Sequence, residues 1–370
     1  MNIALIAAGM LGNKKESTWL TLFNLAKEYQ KQGHYAIIIA KKKLLLPVIE
    51  TIEGVKIYRL FGDKKISRLT AVSKTIEYIQ LEQKVQFDIL HGFSSSPLLS
   101  FELKLAKKHA PNVKIVHTLK SYSKYPVTDK FSFLLKFADT ITVPTAVAGE
   151  KVSKLGSKVK VVRSNIDLIK FKPKNRRQLQ RKHGFKGKRL IMNYGALRWE
   201  KGVDDLIKAM PLVIKEYPNA HLLFAVRSRE IQAREKYLAM ARELGCGGHI
   251  SIIFDDVPIE EYVSMAEAMV LAYPTLRGTE GNPSCLLEAM AAKTPVVITS
   301  LPEIREIVRD EKEVLMANPS DPFSVAEKII KILGDQKLQR QLTKNAYLKA
   351  QQFGTQKIVG DFLEVYANTN

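Results

Sequence analysis

Short apolar runs alternate with amphipathic stretches along nearly the whole chain, and this alternation limits the fold more than any other feature. In the first half the apolar runs are Ile3–Ala8, Tyr35–Ala40, Val55–Leu60, Phe87–Leu90, Val113–Leu119, Thr140–Val143 and Val159–Val162. They are too short for core helices and suit buried strands. Between them lie helical patterns. The first is the clearest: Trp19, Leu22, Phe23, Ala26 and Tyr29 recur at helical spacing, and Gly33 closes the run. Strands alternating with helices imply a parallel, doubly wound α/β sheet. From Asp167 to Arg189 the rhythm breaks into a basic, polar segment that reads as a linker with one short helix. It then resumes at Arg189–Tyr194, His221–Val226, His249–Phe254, Ala268–Tyr273, Pro295–Thr299 and Val314–Met316. The expectation is two α/β domains in tandem, divided at 166/167. The stretch Phe353 to Tyr366 carries one more helical pattern, at Ile358, Phe362 and Val365.

With 370 residues, 46% of them apolar, the chain can bury two domain cores of ordinary size. No stretch reaches the roughly 18 uninterrupted apolar residues of a membrane span. The N-terminus enters a strand pattern, N-I-A-L-I-A-A, without a basic leader or cleavage site, so no signal peptide is expected. Cys246 and Cys285 make neither a disulfide framework nor a metal cluster, which suits a reducing cytoplasm. The charge is strongly basic, +21, and uneven: residues 1–170 hold 28 Lys/Arg against 13 Asp/Glu, the remainder 30 against 24. A basic front half suits an anionic partner such as a membrane surface or a phospholipid-linked glycan. Its lysines are scattered, without arginine–aromatic clusters, so nucleic acid is not expected. A solvated basic surface with no partner satisfies the same counts.

The densest chemistry lies in Gly278 to Glu288, G-T-E-G-N-P-S-C-L-L-E. It joins a buried-strand run to the apolar helical run Leu286 to Ala292. Asn282 reads as the N-cap and Pro283 as the first helical residue. The N–H groups near Ser284 and Cys285 would then be unpaired first-turn donors at the positive end of a helix dipole, which suits a phosphate. Glu280 and Glu288, with seven residues between them, flank that position and can accept hydrogen bonds from hydroxyls. Phosphate flanked by hydroxyls describes a sugar nucleotide. A capped helix with two solvated glutamates fits the same residues. Farther upstream, G-A-L-R-W-E-K-G puts Lys201 and Gly202 at the start of a helix from Val203. There the lysine can meet a phosphate as a point charge, and the glycine lets a ligand approach the backbone. Neither Asp204-Asp205 nor Asp255-Asp256 forms the Asp-x-Asp pattern that holds a divalent metal on a diphosphate. Fixed positive charge and helix N-termini are the expected substitute, with no metal and no cofactor.

The run E-G-N-P-S-C-L-L-E-A-M-A-A-K-T-P-V-V, continued by Thr299 and Glu306-Ile307-Val308, resembles the E-x7-E signature of the family 4 (group 1) retaining glycosyltransferases. Gly33-His34 resembles the G-H that ends the first helix in that family. Asn165-Ile166-Asp167 with Phe171 and Pro173 resembles its interdomain segment, and Glu200-Lys201-Gly202 its E-K-G. The resemblance spans nearly the full length. It implies the GT-B architecture, two Rossmann-like domains facing a cleft. The acceptor-side domain would be residues 1–166, rejoined by a crossover helix within 352–370, and the nucleotide-sugar domain residues 167–351. It implies that Lys201 contacts the diphosphate, Glu280 approaches the donor sugar, Glu288 grips the ribose, and the amides of Gly281, Asn282, Pro283-Ser284 and Cys285 line the sugar and phosphate. The implied activity is retaining transfer from a UDP-, GDP- or ADP-sugar to a glycan or lipid-linked acceptor, in the cytoplasm or at the cytoplasmic face of a membrane.

Several positions depart from the family. Ala196 replaces an arginine, for which Arg198, two residues on, can substitute. Ala225-Val226-Arg227-Ser228-Arg229 replaces a glycine turn, and Lys120 stands where a histidine is usual and can donate to phosphate or sugar. The acceptor-side glycine pair falls near Glu16-Ser17, with Gly9 and Gly12 just upstream. His117 reads as a strand residue facing neighbours. His91, read at a strand end, fits a cleft-facing or a structural role equally. These departures keep open a non-catalytic homologue that binds nucleotide-sugar or glycan. A sugar-nucleotide epimerase of the same architecture would need acid/base groups that no convincing set supplies.

Overall fold

The computed structural model describes residues 1–7, 17–40, 46–59, 70–121, 131–226, 231–254, 257–276 and 280–369. Gly9, Gly12, Glu16, Arg227, Ser228, Arg229, Asp255, Asp256 and Gly278 lie outside them, as does the side chain of Ser17. The chain forms two compact units: Met1–Asn165 with Thr355–Asn370, and Ile166–Gly354.

Among its described residues the first unit holds eight strands: β1 (Asn2–Ala7), β2 (Tyr35–Ala40), β3 (Ile49–Ile52), β4 (Val55–Arg59), β5 (Ile89–Phe93), β6 (Lys114–Thr118), β7 (Thr140–Val143) and β8 (Val159–Val161). Their order in the sheet is β3-β4-β2-β1-β5-β6-β7-β8. All pairs are parallel except β3 with β4. The helices are α1 (Ser17–Lys31), α2 (Ala71–Gln83), α3 (Leu98–Ala106) and α4 (Ala146–Ser153). Alternate residues of a strand face opposite sides. Ala4, Ile6, Ile37 and Ile39 therefore enter a core with Ile76 and Leu103, while Ile3, Leu5, Ala36 and Ile38 enter a second core with Trp19 and Leu22. The expected face of α1 is buried, and Gly33 ends the helix at φ +81°. Gly33 N donates to Gln30 O and His34 N to Tyr29 O, closing the last carbonyls in a left-handed cap.

The hairpin strand β3 is absent from the sequence reading. It is a half-exposed four-residue edge, and its two-residue turn places Glu53 and Gly54 at φ +45° and +84°. The histidine expectations separate. His91 lies inside β5 rather than at a strand end, fully buried. Its Nδ1 is 2.7 Å from the Tyr366 hydroxyl and its Nε2 2.7 Å from Thr118 Oγ1. Tyr366 also meets the Tyr29 hydroxyl at 2.8 Å. His91 thus belongs to a buried polar network under the last helix, which corrects the cleft-facing alternative. Burial, and then His117, hold its pKa well below the usual value. His117 meets Ser100 Oγ at 2.7 Å, and burial lowers its pKa to about 4.

The second unit runs through α5 (Arg176–Lys182), β9 (Arg189–Gly195), α6 (Val203–Glu216), β10 (Ala220–Val226), α7 (Ile231–Glu243), β11 (Ile250–Ile253), α8 (Ile259–Met265), β12 (Ala268–Leu271), α9 (Ser284–Ala291), β13 (Val296–Thr299), α10 (Pro302–Arg305), β14 (Leu315–Ala317), α11 (Pro322–Gly334) and α12 (Gln336–Ala350). The sheet is wholly parallel in the order β11-β10-β9-β12-β13-β14. It has one apolar core on each face, so both sides are covered as a parallel sheet requires. The short helix expected in the polar segment is α5, capped by Asn175. The final helix, α13 (Thr355–Ala367), packs Ile358, Val359, Phe362 and Tyr366 into the core of the first unit. Among the described residues no helix is long and apolar enough to cross a membrane.

Candidate functional site

In the second unit the strand order reverses direction between β9 and β12. From β9 the chain winds outward through β10 and β11, then returns to the other side of β9 for β12, β13 and β14. The loops leaving the C-terminal ends of β9 and β12 therefore part in opposite directions and leave a crevice, the usual ligand position in an open α/β sheet. The two loops lead into α6 and α9, the helices whose starts carry the sequence motifs.

The β9 loop turns at Gly195 (φ +133°) and tightens into a 3-10 turn over Trp199–Lys201. Gly202 follows as the N-cap of α6 at φ +71°. A Cβ there would lie 1.8 Å from the carbonyl oxygen of Ala272. The glycine is thus required by the close passage of the chain beyond β12. This packing requirement is additional to the expected one, ligand approach to the backbone at the start of α6.

Lys201 is half-buried, with Nζ 5.3 Å from the centre of the Tyr273 ring. Burial lowers its pKa, while Cys285 and Glu280 act to raise it and Arg198 to lower it further. The Tyr273 hydroxyl lies 3.0 Å from Cys285 Sγ, and burial, Cys285 and Glu280 push its pKa well up. Tyr273 is held in turn by its carbonyl, which accepts from Thr299 Oγ1 at 2.7 Å. One electrostatic cluster therefore contains Lys201, Glu280, Cys285, Arg198 and Tyr273. Tyr273 is an addition to the sequence reading; the only trace of it there is an aromatic residue at the end of an apolar run.

The start of α9 differs from the expectation by one residue. Pro283, extended at φ −64°, ψ 127°, is the N-cap, and Ser284 is the first helical residue. Asn282 makes no capping bond. Its side chain is fully buried, and neither Oδ1 nor Nδ2 has a hydrogen-bond partner among the described residues. The N–H groups of Leu286 and Leu287 turn back to Pro283 O. Those of Ser284 and Cys285 meet no acceptor among the described residues, and they project from the positive end of α9.

Glu288 sits on the same helix at 6% exposure. Its Oε2 has no hydrogen-bond partner among the described residues. Burial raises its pKa to about 8, opposed by Lys170. A buried carboxamide just before α9 and a buried carboxyl within it, both left without partners among the described residues, are costly unless a ligand completes them. Lys170 is a further contributor that sequence reasoning passed over, because nothing in the linker distinguishes it from neighbouring lysines. Lys120 belongs to the first unit, where its Nζ donates to Thr18 Oγ1 at 3.4 Å; it is not among the residues the second unit gathers. Among the described residues no group of three or more His, Cys, Asp or Glu side chains is placed to hold a metal ion.

Residues 20–169 match the model of Glycosyltransferase Family 4, and residues 175–349 that of Glycosyl transferases group 1. The chain is similar to putative glycosyltransferase YtcC of Bacillus subtilis, 28% identical over 284 residues that span 70% of this chain and 67% of the relative. It shares its fold with sucrose-phosphate synthase of Thermosynechococcus elongatus, at TM-score 0.83 and 17% identity over 100% of this chain and 99% of that one. It shares it also with Anabaena HepE, solved in complex with UDP-glucose, at TM-score 0.81 and 16% identity over 100% of both chains.

Proposed function

Because this chain belongs to the group 1, family 4 glycosyltransferases of GT-B fold, we propose that it transfers a sugar, with retention, from a nucleotide-sugar to a glycan or lipid-linked acceptor. One observation carries this reading: the β9/β12 crevice brings a half-buried lysine, a free helix N-terminus and two buried, partnerless polar side chains to one place. The solved complex of HepE with UDP-glucose supports a nucleotide-sugar as the occupant.

Each group has a task. The Glu288 carboxylate accepts the ribose hydroxyls. The Ser284 and Cys285 amides, with those of Gly281 and Asn282, hold sugar and phosphate oxygens, and Pro283 sets the turn. Glu280 meets the donor sugar hydroxyls. Lys201, steadied over Tyr273, faces the diphosphate with Arg198 close by, and Lys120 serves the acceptor side. In the transfer the anomeric carbon–oxygen bond to the phosphate breaks while the acceptor oxygen bonds to the same face of that carbon. The acceptor proton passes to the departing phosphate oxygen. Charge therefore grows on the diphosphate, where Lys201 and the starts of α6 and α9 oppose it without a metal ion. The basic residues 1–170 support an anionic membrane or lipid-linked acceptor at the cytoplasmic face.

Calorimetric titration with UDP, GDP and ADP in metal-free buffer, beside Glu288→Ala, tests the donor site. One nucleotide should bind, and the variant should lose on the order of 1–3 kcal/mol. Binding by none of them, or unchanged affinity in Glu288→Ala, overturns the assignment. With the donor chosen, the anomeric configuration of the first product, read by NMR, decides retention.

A further inference from the structure

At the opposite, N-terminal ends of the strands of the second sheet lies a cavity of about 440 Å³. Its walls carry Arg177 and Arg181 of α5, Lys186 and Lys188 of the following turn, Arg189 at the start of β9, and Glu267 just before β12. The β9 strand separates it from the crevice described above. Arg189 and Gly195 are the two ends of that strand, about 20 Å apart at 3.3 Å per residue. The cavity is therefore a second place on the same unit.

Its charge is not balanced. The single lining carboxylate, Glu267, accepts Arg189 Nε and Nη2 on one oxygen, both at 3.0 Å. It is also shared electrostatically with Arg176. Arg189 is further fixed by the Leu333 carbonyl at 2.6 Å and by stacking on Tyr217, 4.5 Å from the ring centre. The other four cations, Arg177, Arg181, Lys186 and Lys188, make no ion pair or side-chain hydrogen bond among the described residues. Arg177 and Arg181 are four residues apart on α5 and so share one face, where like charges destabilise a helix. Folding thus gathers cations around a concave space and neutralises only one of them. All four are exposed at the cavity mouth, and a concave arginine and lysine group with one neutralised member suits an oxyanion with several acceptor oxygens.

We propose that this cavity binds a phosphoryl group, with Arg177 and Arg181 supplying forked contacts and Lys186 and Lys188 point charges. The phosphoryl group belongs either to a free phosphorylated compound or to an anionic lipid headgroup. Its distance from the β9/β12 crevice makes it a site for a regulator or an anchor rather than for the donor.

The probe is inorganic phosphate, titrated calorimetrically at low ionic strength into the full chain, into Arg177→Glu/Arg181→Glu and into Lys201→Ala. Phosphate should bind the wild type and Lys201→Ala alike, and bind the double variant about tenfold or more weakly. Flotation with phosphatidylglycerol/phosphatidylcholine vesicles distinguishes the sources. Vesicle retention that depends on the same two arginines assigns a headgroup, whereas phosphate binding without such retention assigns a soluble compound. Absence of both, or phosphate binding indifferent to Arg177 and Arg181, overturns the proposal, as does binding lost in Lys201→Ala. If circular dichroism shows the double variant unfolded, Lys186→Gln/Lys188→Gln carries the same comparison, since both lysines are exposed.

Discussion

Replacing Glu288 by Gln keeps the shape of the side chain and removes its titration, and two measurements follow from the structure. Burial holds the Glu288 carboxyl at about 8, against 4.5 for a free glutamate. Between those values the folded chain keeps a proton that the unfolded chain has lost. Stability therefore falls as pH rises through this window, by 1.36 kcal/mol per pH unit at most. From about pH 5 to pH 8 the cost integrates to about 3–4 kcal/mol, and the glutamine variant does not incur it. Urea denaturation at both pH values should show Glu288→Gln gaining about that much on the wild type as pH rises. The same proton reports on the ligand. Near pH 7 the free site is mostly protonated, and ribose hydroxyls donating to the carboxylate favour its ionised form. Nucleotide binding should release up to about one proton, seen as an enthalpy that varies with the ionisation enthalpy of the buffer. Glu288→Gln should abolish that dependence. Parallel stability profiles for the two proteins, together with a buffer-independent enthalpy in the wild type, would refute both the burial argument and the ribose role.

Lys201→Ala should lower kcat more than donor affinity, because phosphate charge grows in the transition state; a change confined to the binding constant, in steady-state kinetics beside calorimetry, contradicts this. Gly202→Ala should cost about 3 kcal/mol or more, since the added carbon meets Ala272 O at 1.8 Å in a left-handed backbone; an unchanged urea midpoint would disprove that packing. His117, lowered to about 4 by burial, takes up its proton in the unfolded chain first. Stability conferred by the buried neutral ring is thus lost as pH falls below 6.5, about 2 kcal/mol between pH 7 and pH 5. The difference between wild type and His117→Gln over that range measures it, and a flat difference counts against the buried neutral ring.

The two sheets were legible because their signal is local. A strand buried on both faces must be apolar throughout, so runs such as Tyr35–Ala40 and His221–Val226 announce themselves. Helix starts at Gly202 and near Pro283 are legible for a similar reason: the left-handed position at Gly202 favours glycine, and proline's fixed φ suits the start of a helix. Where the local signal is weak, spacing alone misplaces an element. The strand β3 is a half-exposed edge with only one alternation of pattern. The α9 cap moved by one residue because proline accepts either side of a helix boundary. His91 sits mid-strand because Gly92 and Phe93 carry β5 past the apparent end of the apolar run.

The chain alone determined the α/β class, the two-part division of strands and helices, and the identity of the residues beside each helix start, since these follow from periodicity and backbone stereochemistry along neighbouring positions. Only the tertiary structure decided what those residues experience. Strand order placed the β9 and β12 loops side by side, stacked Lys201 over Tyr273, and sealed Asn282 and Glu288 away from water without partners. It also collected cations from α5, a turn and β9 around one cavity. Burial, charge balance and pKa depend on which distant segments close over a side chain, and sequence spacing carries no record of that.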